Sequence, residues 1–129
     1  MIVLDASALV DVVLDQPAAA WVLDQISDEG IRSPSHQPAE VLSALSRLVR
    51  DGVLDSREAL DALHEASSLP QQLVTPTTAH LQRAFALKER IRVLDGLYVA
   101  LAEELGCALV TTDSRLSGAA PPCEVRAPG

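Results

Sequence analysis

Four acidic residues, Asp5, Glu40, Asp95 and Asp113, lie far apart in a chain of 129 residues, yet each falls where a strand should stop or a helix should start. Carboxylates gathered in one place repel one another, and a hard divalent cation that takes oxygen ligands relieves that repulsion. Such a centre suits hydrolysis of a phosphoryl ester, because the cation steadies charge on the phosphate and lowers the pKa of a water. Each acid also has a local explanation. Glu40 and Asp95 fall in first turns of helices, where a carboxylate is favoured by about 0.3–1 kcal/mol, and Asp5 and Asp113 follow strands, where Asp makes turns. The joint placement separates these four from the other fourteen acids, which fall mostly mid-helix or between helices, as Asp24, Glu58, Asp61 and Glu103 do.

The elements that must position the four acids can be read from apolar periodicity and from turn residues. Ile2-Val3-Leu4 is a short buried strand that stops at Asp5, and Ala8 to Leu14 then turns helical. Pro17 opens a second helix running to about Glu29, with Trp21, Val22 and Ile26 on one side and Gly30 as its stop, and Ile31 to Ser33 is a brief strand. Pro38 suits the first turn of a helix to Arg50, whose apolar face is Val41, Leu45, Leu48 and Val49. Asp55 and Glu58 form a capping box for the next helix, with the stripe Leu60, Leu63 and Ala66.

After Pro70, Gln72 to Val74 is a strand, and Thr77 or Thr78 caps a helix to about Arg90. Leu94-Asp95-Gly96 starts a helix that Gly106 ends, Ala108 to Thr111 is a buried strand, and Val125 belongs to a last edge strand. This order predicts one α/β domain over residues 1–129, a central parallel sheet of four to five short strands with helices on both faces. In such a fold ligands collect at the carboxyl ends of the strands, which is where the four acids would meet.

Composition narrows the function. At 13.7 kDa and 48% hydrophobic residues the chain can bury a core, but only Trp21, Phe85 and Tyr98 are aromatic, so a stacking platform for nucleic-acid bases is excluded. No apolar run approaches the ~20 residues of a membrane span, and the first strand begins directly after Met1 with no export signal, so the cytoplasm is the expected location. Cys107 and Cys123 are expected to be reduced, and no histidine lies near them to complete a zinc site. The net charge of −8 argues against a general nucleic-acid binder. A metal nuclease remains open, since the candidate ligands supply four of the negative charges. Arg83, Lys88, Arg90 and Arg92 cluster just before Asp95 and read equally as a solvated helix face or as a guide for phosphates. His36, His64 and His80 fall at no strand end near an acid, so no catalytic role is expected of them.

The segments Ile2-Val3-Leu4-Asp5-Ala6-Ser7-Ala8-Leu9, Pro38-Ala39-Glu40-Val41, Asp95-Gly96-Leu97-Tyr98-Val99-Ala100-Leu101-Ala102 and Leu109-Val110-Thr111-Thr112-Asp113 together resemble the four acidic motifs of PIN-domain ribonucleases, most closely the VapC-type toxins of bacterial toxin–antitoxin pairs. The resemblance covers nearly the whole chain in order. It implies a PIN-like three-layer α/β/α fold and a metal centre of Asp5, Glu40, Asp95 and Asp113, supported by the hydroxyls of Ser7 and Thr111. It also implies Mg²⁺ or Mn²⁺ as cofactor, RNA as substrate with 5′-phosphate and 3′-hydroxyl products, a VapB-type antitoxin as partner, and a homodimer. Lys88, Arg90, Arg92 and Arg115 are the candidate RNA contacts. The residues after Asp113 are Ser114, Arg115 and Leu116, so the further acid found there in some relatives is missing.

Two other readings compete. An aspartyl-phosphate phosphatase wants a second Asp two positions after the nucleophile, where this chain has Ser7, and a cationic partner that Lys88 is poorly placed to supply. A binding module that has kept the scaffold and lost the chemistry would be expected to lose acids, and all four remain.

Overall fold

A computed structural model of the chain describes residues 1–129. Five short parallel strands form one sheet: β1 (Ile2–Leu4), β2 (Ile31–Pro34), β3 (Gln72–Val74), β4 (Ala108–Val110) and β5 (Val125–Arg126), in the order β3-β2-β1-β4-β5. Seven helices connect them: α1 (Ala6–Val13), α2 (Ala19–Ile26), α3 (Gln37–Arg50), α4 (Ser56–Ser67), α5 (Thr78–Ala86), α6 (Val93–Leu105) and α7 (Ser114–Gly118). The sheet grows outward from β1 through β2 to β3, and then the chain crosses back to place β4 on the other side of β1. That reversal opens a crevice at the carboxyl ends of β1 and β4, the usual ligand position in an open α/β sheet.

The apolar residues of the central strands alternate between two cores. Ile2, Leu4 and Val110 pack with α1, Val22 of α2, Val41 and Leu45 of α3, and Ala62 and Ala66 of α4. Val3 and Leu109 point the other way, onto Tyr98, Val99, Leu101 and Ala102 of α6, together with Leu87, Ile91 and Leu116. Helices therefore cover both faces, giving the three-layer α/β/α arrangement. On the second face α5 and α6 approach closely at Gly96, where an added Cβ would lie 3.0 Å from Ala84 Cα and Cβ.

The expected elements are present, with differences that have physical causes. The Asp55–Glu58 capping box forms, Thr77 caps α5, and Gly106 ends α6 in the left-handed region at φ 61°. Helix α2 is shorter than expected: Pro17 lies in the preceding turn, and the stop is at Asp28, whose φ of 61° reverses the chain before Gly30 is reached. Helix α5 ends at Ala86, and residues 87–90 continue as turns. Leu60 is exposed, and Ala62 takes its expected place against the core. Strand β2 runs one residue past the expected Ser33, to Pro34. Helix α7 was not anticipated, because its five residues offer only Leu116 to the core.

Candidate metal centre

Register brings the first two site elements together. Parallel pairing sets Leu4 beside Val110, so the next residues along, Asp5 and Thr111, emerge side by side, with the Asp5 amide bonded to the Val110 carbonyl at 3.0 Å. Asp5 occupies the N-cap of α1 but makes no side-chain cap. Its Oδ2 instead accepts hydrogen bonds from Ser7 Oγ at 2.6 Å and Thr111 Oγ1 at 2.7 Å. Burial pushes the Asp5 carboxyl up to about 6; the two hydroxyls oppose that rise, and the nearby Asp95 and Glu40 add to it. A buried carboxylate next to two others, with only neutral hydroxyls as partners, is electrostatically unfinished.

Glu40 and Asp95 arrive from first turns of helices on opposite faces of the sheet, α3 and α6. Each of Asp5, Glu40 and Asp95 offers a carboxylate oxygen within 4.8 Å of the others. Arg92, the residue before α6, bridges two of them: its Nη2 lies 2.8 Å from Glu40 Oε2 and 2.9 Å from Asp95 Oδ1, and its Nε lies 3.3 Å from Asp95 Oδ2. For Glu40 burial favours the neutral acid, but His36, Arg92 and Tyr98 outweigh it and hold the carboxyl down at about 2. The other Glu40 oxygen, Oε1, is buried with His36 Nε2 at 3.3 Å but no well-aligned hydrogen bond, and the buried Tyr98 hydroxyl, near enough to act on Glu40, likewise lacks a well-aligned partner. Burial, reinforced by Asp5 and Glu40, raises the Tyr98 phenol well above its ordinary range. A hard cation fits this donor set: three convergent carboxylates, one with an oxygen left unsatisfied in the interior.

Asp113 stands outside that trio. It caps α7, its Oδ1 accepting from the Arg115 amide at 2.9 Å, so its local explanation is realised where that of Asp5 is not. It nevertheless lines the same cleft, about 780 Å³ in volume, together with Asp5, Ser7, Glu40, Asp95 and Arg115. Thr111 ties the two ends of the site together, because its Oγ1 donates to Asp5 and accepts from the Asp113 amide at 3.0 Å.

Of the candidate RNA contacts, Arg92 and Arg115 line the cleft, and Arg90 joins them around a smaller adjoining pocket. Lys88 lines neither and sits 4.3 Å over the Phe85 ring. Two cleft residues escaped the sequence reading. His36, given no role there, lies at the site with its ring stacked obliquely 4.9 Å from Tyr98; its i, i+4 spacing to Glu40 was the available signal. Arg47 also lines the cleft, two helical turns after Glu40.

Comparison with known proteins bears on the family and the fold. The family model of the PIN domain matches residues 2–120. Ribonuclease VapC12 of Mycobacterium tuberculosis (strain ATCC 25618 / H37Rv) is 40% identical over 117 residues, covering 91% of this chain and 90% of that protein. Two solved structures share the fold at low identity. One is Mycobacterium tuberculosis VapC20, a Sarcin-Ricin loop cleaving toxin (TM-score 0.68, 16% identity, 92% of this chain and 95% of that one). The other is VapBC2 from Rickettsia felis, bound to a DNA fragment from its promoter (TM-score 0.68, 14% identity, 98% of each chain). The match spans nearly the whole chain and takes in all four acidic segments, so this chain belongs to the PIN-domain family, alongside the VapC ribonucleases.

Proposed function

We propose that this protein is a metal-dependent endoribonuclease, the toxin of a toxin–antitoxin pair, which hydrolyses RNA phosphodiester bonds at the Asp5–Glu40–Asp95 centre. The observation that carries the reading is the convergence of three carboxylates from three separate elements at the sheet's reversal point, within 4.8 Å of one another. Mg²⁺ is the ion that suits oxygen ligands and phosphate chemistry, and Mn²⁺ can stand in for it. Bound there, it supplies positive charge for the phosphate oxygens and activates the attacking water.

The chain's own groups do the positioning. Ser7 and Thr111 fix the orientation of Asp5 through Oδ2. Asp113 adds a carboxylate to the β4 side of the cleft while capping α7, and Thr111 holds its backbone in register with Asp5. Arg47, Arg90, Arg92 and Arg115 put four of the chain's ten basic side chains around the cleft and its adjoining pocket. The cleft also holds five acids, Asp5, Asp11, Glu40, Asp95 and Asp113, so these arginines meet a phosphate backbone favourably once a divalent ion offsets the carboxylates.

The phosphatase alternative loses support, since Ser7 donates its hydroxyl to Asp5 and Lys88 lies outside the cleft. Exposed Leu42, Leu60, Leu81 and Phe85 on α3, α4 and α5 offer apolar surface for an antitoxin of the VapB type and for a second copy of the chain. No helix is long and apolar enough to cross a membrane.

The test is incubation of antitoxin-free protein with total bacterial RNA and Mg²⁺ or Mn²⁺, beside EDTA controls and the Asp5→Asn and Asp95→Asn variants. Discrete fragments with 5′-phosphate and 3′-hydroxyl ends are expected only from the wild type with metal. Cleavage that persists in EDTA or in both variants would overturn the assignment.

A further inference from the structure

Arg92 is paired with two of the carboxylates proposed to hold the ion, which a phosphate contact alone does not require. Its guanidinium makes three charge-assisted hydrogen bonds, one to Glu40 and two to Asp95, at 2.8, 2.9 and 3.3 Å. Two of the three convergent carboxylates are thus already paired with a cation from the same chain. The environments of the two sides differ. Asp5 is buried and bonded to neutral hydroxyls, whereas the Arg92 side chain, which lines the cleft, is 56% exposed. Swinging that side chain outward restores its hydration and disturbs no core packing.

We propose that Arg92 is a built-in counter-cation of the carboxylate centre, displaced when a divalent ion binds, so that this one side chain sets the metal affinity of the site. The inference rests on the metal-centre reading above. Arg92 occupies both oxygens of Asp95 and Oε2 of Glu40, so a divalent ion that takes Asp95 as a ligand must compete with the guanidinium for the same oxygens at like charge. In the proposal the guanidinium gives way as the ion enters. While the site is metal-free, Arg92 bridges Glu40 and Asp95 and offsets part of the repulsion between α3 and α6. Arg92 lines both the cleft and the adjoining pocket of Arg90 and Arg115, so the displaced side chain has solvent-facing space beside the centre. By linkage, whatever the ion loses in evicting Arg92 is regained when Arg92 is absent.

The experiment is calorimetric titration of Mn²⁺ into wild type, Arg92→Met, Arg92→Lys and Asp95→Asn, with thermal unfolding of each in EDTA and in saturating Mn²⁺. Arg92→Met is expected to bind Mn²⁺ about tenfold more tightly than wild type, a shift typical of coupled sites. It is also expected to melt lower in EDTA, and to recover that deficit in Mn²⁺. Arg92→Lys, which keeps the charge and loses the bridging fork, is expected to fall between the two, and serves as the test if the Met variant does not fold. Equal or weaker Mn²⁺ binding by the Arg92 variants, with Asp95→Asn abolishing it, would overturn the displacement role and leave the metal centre standing. Mn²⁺ binding unaffected by Asp95→Asn would overturn both.

Discussion

Asp5→Asn should make the metal-free protein more stable while destroying its metal site. Burial raises the Asp5 carboxyl from 3.8 to about 6, a difference of about two units, which corresponds to about 3 kcal/mol. The sign follows from proton counting. Between the unfolded and folded pKa values the folded chain keeps a proton that the unfolded chain has released, so stability falls as pH rises from about 4 to about 6 and stays reduced above that. Asn is isosteric, does not ionise, and its carbonyl oxygen can still accept from Ser7 and Thr111. In EDTA at about pH 7, Asp5→Asn is expected to exceed wild type by about 1–3 kcal/mol, part of the full figure being offset by the new amide's unmet donors. The gap should close by about pH 4. Glu40 runs the other way, its lowered value giving stability that is lost as pH falls from its ordinary 4.5 towards about 2, but both proteins carry it and it cancels in the difference. Urea denaturation followed by circular dichroism across pH reads the effect, and saturating Mn²⁺ should reverse the order by stabilising only the wild type. A gap independent of pH, or a wild type that is the more stable at neutral pH in EDTA, would refute the reasoning.

Three other substitutions separate scaffold from chemistry. Gly96→Ala puts a methyl 3.0 Å from Ala84, so α5 and α6 must part; a net loss of about 1–2 kcal/mol is expected after the gain in helix propensity, with weaker Mn²⁺ binding because Asp95 is the adjacent residue. Asp113→Asn should keep the α7 cap and wild-type stability, whereas Asp113→Ala should lose about 1 kcal/mol; RNA cleavage should fall in both if the carboxylate takes part in the centre, and fall only in the Ala variant if the cap is its whole role. Gln37, fully buried, donates to the Leu4 carbonyl at 3.0 Å and accepts from Gln71 at 2.7 Å. Gln37→Ala leaves the Gln71 amide without that acceptor and the Leu4 carbonyl with only Ser33 Oγ at 3.1 Å, and should cost about 1–2 kcal/mol by urea denaturation, the strand end that bears Asp5 being loosened with it.

The parts of the site that could be read in advance are those where local chemistry and long-range placement coincide. Asp5 and Thr111 follow apolar triplets that can only be buried strands, and parallel pairing then puts them side by side. Glu40 and Asp95 were legible as first-turn acids, and the Asp55 and Thr77 caps as local hydrogen-bond patterns. What escaped depends on which helix face meets which. His36 reads as an ordinary polar residue one turn before Glu40 until α3 is set against α6, where it also meets the Leu94 carbonyl and Tyr98. Arg92 reads as one member of a basic run, and only the approach of α3 shows that its guanidinium spans two acids. Asp113 carries the same signal as Asp5, a carboxylate after a buried strand, but a short helix begins there and takes its side chain as a cap. The stop at Asp28 escaped because a left-handed Asp leaves less trace in sequence than the Gly two positions later.

The most direct test of the carboxylate centre is anomalous diffraction from crystals soaked in Mn²⁺. One strong peak is expected in contact with Asp5, Glu40 and Asp95, at about 2.0–2.2 Å from their oxygens, with the Arg92 guanidinium turned away from the two carboxylates it now bridges. No peak at that position, or one bound elsewhere on the chain, would contradict the assignment of these three residues as a metal site.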